Sequence, residues 1–316
     1  MAKEWNPGMT VVYIIAIVSI MFWGMSYVWA NELIELGIPV EFFIPIRCLI
    51  AGIILLIINL AYKVPLRIHK EDGVMLFLLA MCEPFIYFFC ETYGIKLTGS
   101  PTLSALIIAS TPIVAALAGR IFFKEKMGLI NIIGILVCVG GLTMVSGGKG
   151  QVGTYFIFGI VVLLIAVFAE VGHASCTKAL SERHYAPTVI VMYQFLIGTA
   201  YFIPLFLTRG VENFDAALYL SWDCFRPILF LSVLCSSLCF SLWVFAIKRL
   251  GVSGSSVFLA MIPVATAIWG ILLGDEKLKW IQWVGLAVSI GGLLLAQKKP
   301  AEKAQPAIDE ETTPSA

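Results

Sequence analysis

The chain has 316 residues, of which 60% are apolar and 13% charged, with 21 basic and 20 acidic side chains and a formal net charge of +1. A soluble chain carries roughly 25% charge, and one or two globular cores could not bury about 190 apolar side chains. Soluble enzyme and secreted disulfide domain are therefore poor readings, and nucleic acid is excluded as a partner because there is no excess of basic surface.

Apolar runs of about 20 residues, separated by charged or Gly/Pro breaks, are long enough to cross a bilayer. Ten are predicted, over 11–30, 40–61, 74–93, 100–119, 128–146, 155–177, 187–207, 227–247, 253–273 and 280–296. The first follows Lys3 and Glu4 and is full length with no small-residue cleavage site behind it, so it reads as a span and not as a removed signal. The second carries Arg47, and the third carries Glu83, Pro84 and Glu91. The sixth holds Glu170 and His173, the seventh Gln194, and the eighth Trp243. After the tenth, residues 298–316 form a Pro/Ala/Glu-rich tail expected to be disordered in the cytoplasm. With the N-terminus cytoplasmic, inner segments hold 14 of the 21 Lys and Arg and outer segments 6, with Arg47 inside a span. That asymmetry predicts both termini inside. Trp29, Trp222, Trp280 and Trp283 fall near the expected outer edge, where an aromatic belt would sit.

The eight cysteines make no C-x-x-C pair and read as small filler in apolar surroundings; Cys235 and Cys239 share a helix face without the second pair a metal site would need. The stretch Ser146–Gly150 contains Gly-Lys but not the spacing of a phosphate-binding loop, so it reads as a linker. No metal site, cofactor or nucleotide-hydrolysing module is implied. A membrane enzyme is disfavoured too: H-E-x-x-H and paired aspartates are absent, and Ser175 follows His173 at a spacing that points the two to different helix faces.

The chain repeats itself. Pro112, Glu125-Lys126, Gly134 and Gly140-Gly141-Leu142 recur as Pro263, Glu276-Lys277, Gly285 and Gly291-Gly292-Leu293, each at an offset of 151 residues. Gly94-Ile95-Lys96 answers Ala246-Ile247-Lys248 at offset 152. Five spans per half is an odd number, so the second half would enter the membrane inverted. The expected fold is all-α and integral to the membrane, with ten transmembrane helices as two inverted five-helix repeats (11–146 and 155–297, joined by a linker over 147–154). That is an architecture of alternating-access transporters. The glycine pairs Gly134/Gly141 and Gly285/Gly292, spaced by seven, are expected at close helix contacts. Glu125 and Glu276 sit at span ends and are expected to cap helices or pair loops.

Trp23-Gly24, Arg47 with Ala51-Gly52, and the doubled Pro, Glu-Lys, Gly, Gly-Gly series resemble the drug/metabolite transporter superfamily, specifically its EamA-type ten-span permeases, over residues 12 to 297. The resemblance implies a bacterial inner (plasma) membrane location and a secondary transporter, most often an exporter of small metabolites such as amino acids or related compounds. The small-molecule substrate and the lipid bilayer are its implied partners. Import, or flipping of a lipid or lipid-linked sugar, are the alternatives; monomer and homodimer are both open. Glu83-Pro84 departs from the plain apolar third span common in the family.

Charge near a bilayer centre costs about 2.5–3.5 kcal/mol on insertion scales and usually faces a cavity or a partner. Arg47 lies about 10 Å below the outer end of its span at 1.5 Å per residue, between Glu83 and Glu91 in depth. It either pairs with one of them as a fixed lock, contacts a substrate carboxylate, or snorkels outward. Pro84 removes a backbone hydrogen bond beside Glu83 and should break the helix there; Tyr87 follows one turn later on the same face. Trp23, Arg47, Glu83, Tyr87, Gln194 and Trp243 are the expected cavity residues. Glu170 and His173, at i and i+3, share a face and with Glu83 are the expected proton-coupling groups.

Overall fold

A computed structural model of the chain describes residues 8–111, 113–114, 129–147, 154–183, 185–212, 214–273 and 276–296, and among these all regular structure is helical. Pro112, Glu125-Lys126, linker residues 148–153 and the tail from 298 lie outside the described residues. The α-helices are α1 (Met9–Glu35), α2 (Val40–Ala61), α3 (Gly73–Ala80), α4 (Tyr87–Thr98), α5 (Pro101–Ile108), α6 (Leu129–Gly147), α7 (Thr154–Ser181), α8 (Pro187–Leu205), α9 (Ala216–Tyr219), α10 (Trp222–Phe230), α11 (Phe240–Leu259), α12 (Ile262–Leu273) and α13 (Trp280–Ala296). Wider π-type turns at Met81–Ile86, Phe206–Gly210 and Leu231–Cys239 extend or join them.

Among the described residues six stretches are long and apolar enough to cross a membrane: Met9–Glu35, Val40–Ala61, Lys70–Thr98, Thr154–Ser181, Pro187–Gly210 and Trp222–Leu250. Leu129–Val145, Ile262–Leu273 and Trp280–Ala296 are shorter apolar helices. Side-chain distribution follows the same solvent. Ile57, Leu60, Phe77, Phe158, Phe168 and Leu136 are exposed, while Arg47, Asn59, Glu83, Glu91, His173 and Gln194 are buried. An apolar outside with a polar inside is what a hydrocarbon surround selects. The chain is an all-α, multi-pass membrane protein.

Two turn residues set the local path. Gly99 ends α4 at φ 59°, a left-handed conformation that glycine adopts without a Cβ penalty. Ser100 then caps α5, its hydroxyl accepting from the Leu103 amide, and Pro101 occupies the first helical turn, where no backbone donor is needed. The Glu276 carboxylate reaches across from the segment before α13 to the same cap: Ser100 Oγ donates to it at 2.5 Å and the Thr102 amide at 3.3 Å, with the Thr102 hydroxyl as a further donor. At another surface of the molecule, buried Asp72 accepts from the Tyr185 hydroxyl at 2.6 Å and lies 2.9 Å from Arg183. Burial, reinforced by that carboxylate, pushes the Tyr185 hydroxyl above its ordinary pKa.

One sequence expectation fails here. The eighth and ninth predicted spans were separated at 248–252, but the backbone runs helically through those residues as part of α11 and breaks instead at Ala260-Met261. No proline interrupts the ladder at 248–252. Pro263, in contrast, offers no N–H to the carbonyl of Leu259, so the helix loosens there.

α6 and α13 pack along a glycine seam. A Cβ on Gly134 would sit 2.3 Å from the Ala296 amide nitrogen, and one on Gly292 would sit 2.3 Å from that of Cys138. On Gly141 it would meet Ser289 Oγ at 2.3 Å, and on Gly285 Met144 Cβ at 2.7 Å. The adjacent Gly140 and Gly291 would meet nothing within 4 Å. Each Gly-Gly pair thus has one residue in the contact and one outside it. Polar bonds cross the seam reciprocally: Asn131 Nδ2 donates to the Ala296 carbonyl at 2.8 Å, and Gln282 Nε2 to the Val145 carbonyl at 3.0 Å. The second bond is the first moved by 151 residues at both ends. Ser289 Oγ donates to the carbonyl of Cys138, its own counterpart at that offset, at 3.1 Å.

Gly292→Leu is expected to destabilise the protein by about 3 kcal/mol or more, because the clash is with backbone that cannot rotate away. Gly291→Leu should leave stability unchanged. Thermal unfolding of the two variants in detergent checks this; equal melting temperatures would remove the seam from the account.

Candidate functional site

One cavity of ≈ 50 Å³ lies where interrupted helices meet, lined among others by Trp23, Arg47, Glu83, Tyr87, Glu170, His173 and Trp243. On that measure a water needs about 10–15 Å³, so the space holds a few waters and no larger molecule. Three breaks face it. The first is at Glu83, whose backbone is extended (φ −146°, ψ 124°) inside the stretch from α3 to α4. The second follows α5, where Ile108, Ala109 and Thr111 line the wall. The third lies between α11 and α12, where Leu259 and Ile262 do so. Each break has a proline close by in sequence: Pro84, Pro112 and Pro263. A proline withdraws one backbone donor and excludes a carbonyl of the preceding turn. The Pro84 ring is seated in turn by Gly198 on α8, where a Cβ would lie 2.3 Å from Pro84 Cγ.

The extended backbone turns the Glu83 side chain toward α7, where its Oε2 lies 2.9 Å from His173 Nδ1. Glu170 Oε2, one turn back on α7, is 3.5 Å from the same nitrogen. Glu83 and His173 are each 3% exposed. The Nδ1 N–H points squarely at neither carboxylate, so the contact is an ion pair in character when the ring is protonated and not a well-aligned hydrogen bond. One carboxylate oxygen from each glutamate and one ring nitrogen all lie within 4.8 Å of one another, and the 2.9 Å contact of Glu83 with His173 is within reach of direct proton transfer. On the far side of the ring, Nε2 lies 3.2 Å from Thr177 Oγ1 and 3.2 Å from Gln194 Nε2.

Arg47 does not lock onto either glutamate. Its Nε donates to Ser236 Oγ at 2.7 Å, and its guanidinium carbon sits 4.0 Å from the centre of the Phe88 ring. The glutamates are engaged elsewhere: Glu83 with His173, and Glu91 as acceptor from the Tyr87 hydroxyl at 2.9 Å. Tyr27 OH meets Tyr87 OH at 3.3 Å. The fork of Arg47 is therefore held from one edge and one face while the residue lines the cavity. A planar guanidinium held in this way can receive a carboxylate or another small anion. Snorkelling is ruled out as well, since the side chain is buried.

Aromatic rings make up much of the remaining wall. Trp23 stands edge-on to Phe240 and Trp243, each at 5.1 Å between ring centres, and Trp23 Nε1 donates to the Cys235 carbonyl at 3.1 Å. Phe240 also meets Phe88, Phe195 and His173. Of the residues expected at the cavity, Trp23, Arg47, Glu83, Tyr87 and Trp243 line it, as do Glu170 and His173. Gln194 stands behind His173 and does not line the wall. Phe240, Phe88 and Tyr27 were not singled out by the sequence; with 21 phenylalanines in the chain, type and spacing do not distinguish these. Cys235 and Cys239 are buried free thiols, the first donating to the Phe22 carbonyl at 3.3 Å.

Comparison with known proteins gives a concordant picture. The model of the EamA-like transporter family matches residues 10–147 and again 157–297. An "Uncharacterized transporter YetK" of Bacillus subtilis is 27% identical over 296 residues, covering 92% of this chain and 88% of its own. A "Probable terminal-alkyne amino-acid exporter" of Streptantibioticus cattleyicolor is 29% identical over 197 residues, 62% of this chain and 64% of its own. A protein of known crystal structure superposes with a TM-score of 0.65 over 91% of this chain and 96% of its own at 15% identity, which is a likeness of fold.

Gly198→Ala forces the Pro84 ring away from α8 and is expected to cost about 1–3 kcal/mol of stability. Thermal unfolding in detergent measures it; an unchanged melting temperature would mean that the break at Glu83 is not braced from α8.

Proposed function

The chain belongs to the EamA-like transporter family, and we propose that it is a proton-coupled secondary transporter exporting a small metabolite such as an amino acid or related compound. The observation that carries the reading is the convergence of Arg47, Glu83, Glu170 and His173 on one aromatic-walled cavity at three helix breaks. Ionisable groups at such depth are costly and persist where a substrate or ion uses them. In this reading Arg47 receives the cargo carboxylate, and Trp23, Tyr87 and Trp243 pack on its body. Glu83 and His173, with Glu170 beside them, take up and release the coupling proton. Gln194 acts from behind the ring and not in contact with cargo.

Alternating access between two inverted five-helix repeats is the mechanism we propose, in ten spans with both termini cytoplasmic, in a bacterial inner membrane. The reciprocal bonds Asn131–Ala296 and Gln282–Val145 support it, because exchange of two inverted repeats maps each bond onto the other. Two consecutive matches to one family model also support a duplicated chain. The few-water cavity fits a state in which cargo has no room, so one side must open to admit it. The amino-acid class draws further support from the exporter relative of Streptantibioticus cattleyicolor.

Untargeted metabolite profiling of medium and cytosol tests the proposal, with Glu83→Gln and Arg47→Ala compared at matched membrane levels. A compound gained outside and lost inside with the unaltered protein is expected, falling about tenfold or more in Glu83→Gln. Arg47→Ala leaves no carboxylate without its partner, so it should fold and lose flux. Accumulation inside instead would make the protein an importer. Normal flux in both variants would sink the cavity as the transport site.

A further inference from the structure

We infer that Gln194 is a positioning residue that stabilises both charge states of His173 by presenting a different end of its amide to each. The inference rests on the proton-coupling reading and adds a residue to it. Gln194 is fully buried on α8, its Nε2 lies 3.2 Å from His173 Nε2, and its Oε1 has no hydrogen-bond partner. A buried amide oxygen left unpaired in apolar surroundings is a standing cost. Its persistence beside an imidazole has a chemical explanation.

His173 Nδ1 faces the Glu83 and Glu170 carboxylates, which in their ionised form only accept. The neutral ring therefore keeps its proton on Nδ1, and Nε2 is an acceptor that receives an N–H from Gln194. When the ring gains a second proton, bound at Nε2 as N–H, that nitrogen becomes a donor and would oppose the Gln194 amide group donor to donor. A half-turn of the amide about its terminal torsion replaces NH2 with the unpaired Oε1, which then accepts. A hydrogen bond to the charged ring is stronger than one to the neutral ring, so the second orientation favours proton uptake. Thr177 Oγ1, also 3.2 Å from Nε2, can donate or accept in the same way but sits on the same helix as the ring; Gln194 brings this adjustment from a neighbouring helix.

The other groups around the ring do not offer this exchange. Its own helix supplies Glu170 and Cys176, and the α3–α4 break supplies Glu83 and Cys82. From α11 the ring of Phe240 is an apolar neighbour. Arg47, Glu91, Tyr27 and Tyr87 line the same cavity. On α8 the neighbouring Tyr193 turns its hydroxyl away to the Leu66 carbonyl.

The test uses the full chain in phosphatidylethanolamine/phosphatidylglycerol nanodiscs with 15N-labelled histidine, the proton itself being the probe. The chain has three histidines, His69, His173 and His184, and replacing the other two with Gln leaves the His173 ring nitrogens assigned. Titration between about pH 5 and pH 9 follows the charge of the ring. Gln194→Leu should move the half-charged point to lower pH by about one unit, a tenfold loss of proton affinity, and Gln194→Glu should move it to higher pH by a similar amount. A carboxylate at 194 raises the midpoint by its charge alone, so Gln194→Leu is the deciding arm, and an unchanged midpoint there would overturn the inference. Coincident midpoints in all three proteins would overturn the inference while leaving proton coupling standing. A wild-type ring that keeps one charge state throughout would overturn both. Should Gln194→Leu fail to fold, the neutral wild-type ring decides: a proton on Nδ1 with unprotonated Nε2 is expected, and a proton on Nε2 would refute the argument.

Discussion

The contact between Glu83 and His173, 2.9 Å across the gap between the α3–α4 break and α7, is the constraint on which the rest of this interior depends. An isolated carboxylate in a dry, low-dielectric interior is too costly to keep, and so is an isolated imidazolium. Together, with Glu170 alongside, they can hold charge or share a proton. The contact is made at a point where the third membrane-crossing stretch opens, the backbone at Glu83 being extended. Pro84 withdraws the local backbone bond, and Gly198 leaves the space its ring occupies. The polar cluster, the backbone break and the small residue on a neighbouring helix thus occur together.

Once Glu83 is committed to His173, Arg47 is left without a carboxylate partner. The structure satisfies it by other means: one hydrogen bond to Ser236 and the face of Phe88. Glu91 is likewise engaged by a neutral donor, the Tyr87 hydroxyl. Arg47 and Glu91 line one cavity without pairing with each other. Neutral partners hold Arg47 and Glu91 in position, and the arginine lines the cavity with no carboxylate bound to it.

The sequence made the membrane class, the helical stretches and the break at Pro84 legible, because each follows from local chemistry: run length, apolar content and a missing donor. It also showed that glycines in the Gly-Gly pairs would meet another helix, since seven-residue spacing keeps Gly134 and Gly141 on one face. Which helix meets which was not legible. Periodicity assigns a residue to a face but does not name the neighbour, and so depth alone makes Glu83 and Arg47 look like partners when His173 on α7 in fact takes Glu83. Gln194 looked like a wall residue for the same reason, since burial in a polar setting does not say whether the cavity or another side chain provides it. The continuity of α11 through 248–252 was missed because charge and glycine there suggested a loop. In the absence of proline, the backbone ladder outlasts both signals.

Rigidity and compliance are divided along the same lines as the glycines and prolines. The α6–α13 seam has backbone against backbone at distances that admit no Cβ, and its polar side chains bond across it in reciprocal pairs. Bending either helix would break several contacts at once. Around the cavity, three elements instead lack ladder hydrogen bonds at one level, and there a change of direction costs the least. Glu276 ties the start of α5, which leads into one of those breaks, to the segment that opens α13. Any tilt of α5 at its break therefore acts on the cavity wall at Ile108 and Ala109 at one end and on the Glu276 cap at the other. A close-packed seam, breaks at the charged cavity and a carboxylate joining the two link the cavity wall to the segment that opens α13.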